Sequence, residues 1–173
     1  GFVGGGTLVT IKFPKHHGSP ISCKFGTQTV NTLNVDDYTV AVVAPVSTHA
    51  GTVSVTVLLD NSEVSSFDYT YHAAPIVSKI TPSTLLSKYE ASVEVEGEGL
   101  VITDNAGVTR VITGRFTREG GAVVDTVCAV GTSSSYIVCS LTNVPQVVYL
   151  HFGASVNGVD YISNLAIVQV YDP

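Results

Sequence analysis

The sequence predicts an all-β chain made of two consecutive copies of one sandwich-like module. Three observations carry that reading. Apolar residues recur at period two along almost every long segment, turn residues separate the runs, and the second half repeats the order of the first.

Taken in order, Val9, Ile11 and Phe13 alternate with Thr10 and Lys12, so one side of a strand is apolar and the other polar. Lys15-His16-His17-Gly18-Ser19-Pro20 then reads as a turn. Val53, Val55 and Val57 alternate with Ser54 and Thr56, and Asp60-Asn61-Ser62 ends that run. Phe67, Tyr69 and Tyr71 alternate with Asp68 and Thr70, and Val93 and Val95 with Glu94 and Glu96. Asp104-Asn105-Ala106-Gly107, Glu119-Gly120-Gly121 and Asn157-Gly158 mark later turns. No stretch of helical length carries an apolar stripe at helical period, so a parallel α/β sheet is excluded and an antiparallel sandwich or barrel remains.

The copies align by motif. "DYTVAVVAP" (37–45) matches "SYIVCSLTNVP" (135–145), placing Tyr38 over Tyr136 and Ala41 over Cys139. "SSFDYTYHAAP" (65–75) matches "SNLAIVQVYDP" (163–173), and "ISCKFG" (21–26) has a weaker counterpart in "DTVCAVG" (125–131). The junction falls near His72 to Pro75, a short, glycine-free linker with a proline, for which restricted hinge motion is expected. The expected domains are residues 1–72 and 73–173.

The chain has 173 residues, 45% apolar and 13% charged, the reverse of a disordered composition. A net charge of −6 with only eight Lys and Arg argues against nucleic acid as a partner. No apolar run is long enough to span a bilayer, so any membrane link would lie outside these residues. The opening on Gly1 rather than Met is expected of a piece cut from a longer protein.

With these motifs in view, the chain resembles the IPT/TIG module, the immunoglobulin-like fold shared by plexins and certain transcription factors. Copy one carries the likeness in "GGGTLVTI", "CKFG", "YTVAVVAP", "AGTVSVTV" and "SSFDYTY". Copy two repeats it in "PIVSKITPSTLLS", "VEVEGEGL" with its Gly-x-Gly corner, "YIVCSL" and "SNLAIVQVY". The resemblance covers essentially the whole chain and implies two tandem immunoglobulin-like β-sandwiches. Copy one departs from it. It lacks the opening proline strand of Pro75–Pro82, and it has Pro14-Lys15-His16-His17 where the glycine corner should be. The ending at Tyr171-Asp172-Pro173 repeats the first copy's exit, so a third module is expected to follow.

The likeness also bears on the cysteines. Cys128 and Cys139 flank a turn between two strand-like runs, and in the resembled family cysteines at these positions often pair across neighbouring strands. Such a disulfide would favour an oxidising compartment; the alternative is two reduced, buried thiols in a cytosolic or nuclear protein. Cys23, opposite an expected Ala41, is left as a free thiol of the buried kind. None of the seven Asn lies in an Asn-x-Ser/Thr sequon, which favours a bacterial source, an unglycosylated piece or removed sequons.

Chemical sites are weighed against plainer roles. Gly4-Gly5-Gly6 runs into a strand without a following Lys-Ser/Thr, so it is a turn and not a phosphate loop. Glu94, Glu96 and Glu98 share a strand's solvent side, and Asp36-Asp37, Asp60-Asn61 and Asp104-Asn105 are turns, not calcium loops. Adjacent His16 and His17 point opposite ways in extended chain, so they form no metal pair. Arg115, Phe116 and Arg118, beside Glu119-Gly120-Gly121, form an exposed-looking stretch with the residue types of a protein-binding hot spot, against the plainer role of a charge-protected edge.

No catalytic arrangement, metal set or cofactor fingerprint emerges, and a non-enzyme is expected. The first expectation is an extracellular or cell-surface segment acting in adhesion or receptor binding and as a semi-rigid spacer, with another protein or a second copy as partner. An accessory module of a glycan-binding or carbohydrate-active protein comes second, disfavoured by the absence of Trp. A transcription-factor dimerisation module comes third and would require reduced cysteines.

Overall fold

A computed structural model describes residues 1–12, 20–103, 107–124, 126–131 and 135–173. The chain divides into two compact units, Gly1–Ala73 and Ala74–Pro173. All the named elements are strands.

In unit 1 the strands are β1 (Leu8–Lys12), β2 (Ile21–Phe25), β3 (Gln28–Asn31), β4 (Leu33–Asp36), β5 (Thr39–Val43), β6 (Gly51–Leu59) and β7 (Ser62–Tyr71). They form one sheet in the order β1-β5-β4 and another in the order β3-β2-β6-β7. Unit 2 contains β8 (Ile76–Thr81), β9 (Thr84–Leu86), β10 (Ala91–Glu98), β11 (Val101–Thr103), β12 (Thr109–Val111), β13 (Thr113–Arg118), β14 (Val123–Val124), β15 (Thr126–Val130), β16 (Tyr136–Leu141), β17 (Tyr149–Ser155) and β18 (Ile162–Tyr171). Its sheets run β15-β16-β10-β8 and β14-β13-β17-β18-β9, with β11 and β12 as a separate ribbon.

Period two explains the packing. In β6, Val55 and Val57 are fully buried, Thr56 between them is half-buried and Ser54 before them is exposed. In β10, Val93 and Val95 are sealed and Glu94 is exposed. Each unit therefore has its own core. That of unit 1 is built on Cys23, Val40, Val42, Val55 and Val57, and that of unit 2 on Phe116, Phe152, Leu141 and Leu150. Each fully buried side chain of this size contributes about 1.5–3 kcal/mol.

Turns close the hairpins where expected. Asp60 and Asn61 both have positive φ (49° and 64°), the geometry a two-residue connection between β6 and β7 needs. At the Gly-x-Gly corner, a Cβ on Gly97 would strike the Ile76 carbonyl oxygen, so only glycine lets β8 lie against β10 there.

One expected internal match is corrected. Residues 21–26 are not the counterpart of 125–131. In its sheet β2 lies between a short edge strand and the long β6, as β13 lies between β14 and β17. β15 is in the other sheet beside β16, where unit 1 has β4 beside β5. A shared cysteine in an apolar run produced the false match, because apolar runs recur in both sheets. Ala41, in β5, is for the same reason not the partner position of Cys23, in β2.

Candidate interaction surface

Gly5 and Gly6 (φ 69° and 86°) donate their amides to the carbonyls of Phe2 and Ala44, at 3.0 and 2.9 Å. Amides consumed inside the chain cannot cradle a phosphate, and strand β1 follows at once. Glu94 and Glu98 are exposed on β10, and Glu96 pairs with Lys79 at 3.1 Å, an exposed ion pair of small worth. Asp36 caps its own turn by accepting the Tyr38 amide at 2.7 Å. His16, His17 and the Asp104-Asn105 turn lie outside the described residues. Among the described residues no cluster of His, Cys, Asp or Glu could hold a metal ion.

Cys128 and Cys139 face each other across β15 and β16, with Cα atoms 4.0 Å apart, and form a disulfide. Closing a loop of eleven residues removes roughly 3 kcal/mol of unfolded-chain entropy on the chain-entropy account. Cys23 is a free, fully buried thiol, and desolvation pushes its pKa to about 11. It is a core residue with little thiolate.

Arg115, Phe116 and Arg118 do not form one exposed stretch. Phe116 is fully buried and its ring centroid lies 5.3 Å from that of Phe152, inside the core of unit 2. The reason is parity: Gly114 and Phe116 point inward along β13, and Arg115 and Thr117 point outward. Arg115 lies with its guanidinium carbon 3.6 Å from the centre of the Tyr161 ring, a cation–π contact. Arg118, at the strand's end, is exposed.

What those residues border is a sheet face that the sequence reading missed. Register pairs Val123 with Thr117, Thr117 with His151, and His151 with Ile167, so one row crosses four strands on the outward side. Beside it Tyr149 pairs with Gln169 and Gln169 with Thr84, and Tyr171 pairs with Leu86. The residues between them, Leu150, Phe152, Val168 and Val170, are the buried ones. Tyr149 is 47% exposed, Ile167 52% and Tyr171 51%. The corresponding face of unit 1 carries Thr29, Lys24, Thr56 and Ser66 in one row. Ser54 pairs there with Asp68, and Thr52 with Thr70. Tyrosine beside aliphatic residues with arginine at the border is the composition of a contact surface; the hydroxyl-rich face is that of a solvated one.

No family model and no curated protein matches the chain. Among solved structures, it is similar to the plexin A4 full extracellular region, with a TM-score of 0.59 and 19% identity. That match covers 99% of this chain and 15% of the plexin chain. A second plexin A4 extracellular structure matches over 99% of this chain and 17% of its own, with 16% identity and a TM-score of 0.47. This chain thus spans about 15% of the first plexin structure's length. At these identities the likeness concerns the fold, and in fold the chain is a tandem pair of immunoglobulin-like β-sandwiches, as its IPT/TIG-like motifs implied.

Proposed function

We propose that the chain is a non-enzymatic adhesion or receptor-binding segment of a cell-surface or secreted protein. Its two IPT/TIG-like domains space other domains, and the outward face of the β14-β13-β17-β18-β9 sheet binds another protein. The observation carrying this reading is the face itself. Tyr149, Ile167, Tyr171 and Val123 stand exposed on one side of a sheet whose counterpart in unit 1 is polar. Burying large, stiff side chains costs little rotamer entropy, and Arg115 at the border adds donors for a partner's carboxylate. The Cys128–Cys139 disulfide supports an oxidising, extracellular setting.

The test is binding of the chain to a panel of ectodomains, and to itself, measured by surface plasmon resonance. A specific hit that Tyr149→Ser weakens at least tenfold, and that Ser54→Ala leaves unchanged, supports the reading. Silence against every partner overturns the adhesion role and leaves spacing alone. A second reading rests on the exposed tyrosine rings of the same face, which can stack on a sugar. A sharp hit on a glycan array that Tyr149→Ser removes would put it first.

A further inference from the structure

Strand parity separates the two arginines of β13. Arg118 shares the inward side with Gly114 and Phe116, and it pairs with the fully buried Leu150. It is exposed nonetheless, because β13 ends there and the core stops with it. Its side chain therefore lines the open end of the sandwich, not the outward face.

A cavity of about 240 Å³ lies at that end. Arg118, Val123 and Val124 line it from one sheet, and Thr142, Asn143 and Pro145 from the chain leaving β16 in the other. Both walls are tied down. The Arg118 amide donates to the Ala122 carbonyl at 3.0 Å, and the Gly121 amide donates to the Arg118 carbonyl at 2.9 Å. Opposite, the buried Val144 donates its amide to the Tyr89 carbonyl and accepts from the Lys88 amide. A site held in advance loses little order on binding.

Charge and size say what the cavity would hold. The other cations of unit 2 are engaged: Lys79 with Glu96, Lys88 with Asp172, Arg115 over Tyr161, and Arg110 as well. Among the described residues no carboxylate meets Arg118, Glu119 beside it in the chain included. Thr142 and Asn143 add a hydroxyl and an amide, both exposed and without a side-chain partner among the described residues. One planar guanidinium with two neutral donors suits a carboxylate, which it can hold by paired hydrogen bonds. A chain of net charge −6 disfavours a polyanion. The cavity is also smaller than the roughly 300–1,000 Å³ of small-molecule pockets, so it has room for one side chain. Val123, 57% exposed, belongs both to the cavity wall and to the outward row of Thr117, His151 and Ile167. A protein lying on that face reaches the cavity without a break.

We propose that this end cavity is the socket for an Asp or Glu side chain of the partner protein. The inference rests on the contact-face reading above and narrows it. Apolar side chains of the partner cover Val123 and Ile167, and one carboxylate seats on Arg118.

The test pans a random heptapeptide phage library against the 173-residue chain. Peptides with one acidic position flanked by apolar residues should be enriched, and Arg118→Gln should weaken the best of them about tenfold or more. Arg118→Glu should replace the acidic position by Lys or Arg, a swap that no loss of structure produces. Both variants should keep the thermal midpoint, since Arg118 is exposed. Asp125→Asn, next to Val124 in the sequence, should leave the selected peptide's affinity unchanged. No enrichment, enrichment without an acidic position, or binding indifferent to Arg118→Gln overturns the inference. So does a tenfold gain from Asp125→Asn, which would make the carboxylate internal. An Arg118-dependent hit confined to acidic sugars on a glycan array overturns it too, by giving the socket to a glycan. Tyr149→Ser keeps the two proposals apart. Peptides lost with Arg118→Gln and kept with Tyr149→Ser support the socket even if the face fails. An ectodomain hit lost with Tyr149→Ser and kept with Arg118→Gln supports the face and overturns the socket.

Discussion

Unit 1 and unit 2 set equivalent strands in equivalent order, yet their sheet faces and their cores are filled differently. The β3-β2-β6-β7 sheet presents Lys24, Thr56, Ser66 and Asp68 outward over a core of valines and a cysteine. The β14-β13-β17-β18-β9 sheet presents Tyr149, His151, Ile167 and Tyr171 over a core of Phe116, Phe152 and leucines, and its unit carries the disulfide. One architecture thus supports two surfaces, because outward positions contribute little to folding and are free to diverge. The comparison separates what the fold requires, which is the inward parity, from what a partner would read.

The most severe way to break the comparison is to empty the larger core. Phe116→Ala should cost about 3–5 kcal/mol, since a fully buried ring packed against Phe152 leaves a cavity that a sheet cannot collapse around. In denaturant titrations followed by hydrogen exchange, peptides from unit 2 should lose protection first. A loss below about 1 kcal/mol, the scale of a surface change, would return Phe116 to the exposed role read from the sequence.

That misreading shows where legibility ended. Strands with one polar side, such as Val53–Val57 against Ser54 and Thr56, were readable because water and core alternate along them. In Arg115-Phe116-Thr117-Arg118 the residue types suggest a surface, but strand parity puts Phe116 on the inward side with Gly114. The contact face was hidden for a different reason. In Leu165-Ala166-Ile167-Val168-Gln169-Val170 both parities are mostly apolar, so nothing local says that Val168 is buried and Ile167 is exposed. Only pairing with Leu150 and His151 on β17 decides it. β9 and β14, of three and two residues, are too short to leave a periodic signal. The parallel pairing of β9 with β18 is long-range and was equally invisible.

The disulfide sharpens the contrast on a smaller scale. Replacing both cysteines, Cys128→Ala with Cys139→Ala, should destabilise unit 2 by roughly 3 kcal/mol and leave exchange in unit 1 unchanged. The thiol of unit 1 behaves oppositely. With a pKa near 11 and no exposure, Cys23 should resist iodoacetamide in the native chain and react once unfolded, as read by intact mass. Fast native labelling of Cys23 would mean that unit 1 opens easily, and would weaken the picture of two separately sealed cores.

Smaller still is the stability effect of the two outward faces. Ile167→Ser should change stability by less than about 1 kcal/mol despite removing a large apolar group, because that group is exposed in the folded chain. If it costs as much as a core residue, the face is structural and the binding proposal fails with it.

The smallest expected effect concerns how each unit fastens its last strand. Unit 2 uses a carboxylate: Ser87 Oγ donates to Asp172 Oδ1 at 2.6 Å, Lys88 Nζ lies 3.1 Å from the same oxygen, and Gln146 Nε2 donates to Oδ2 at 2.5 Å. These donors, Ser87 first, hold the Asp172 carboxyl below its ordinary range. Unit 1 uses a neutral clasp, the Tyr71 hydroxyl donating to the Pro45 carbonyl at 2.9 Å, which does not titrate in acid. The sign follows from the depressed value. The unfolded chain binds its proton first as pH falls, so the clasp is fully present above the ordinary carboxylate range and is lost as pH drops through the folded value. Asp172→Asn should therefore lower the thermal midpoint of unit 2 slightly near neutrality, and the difference from the unchanged chain should shrink to nothing in acid. A difference that persists at low pH would mean that shape and hydrogen bonding, and not charge, hold β18 beside β9.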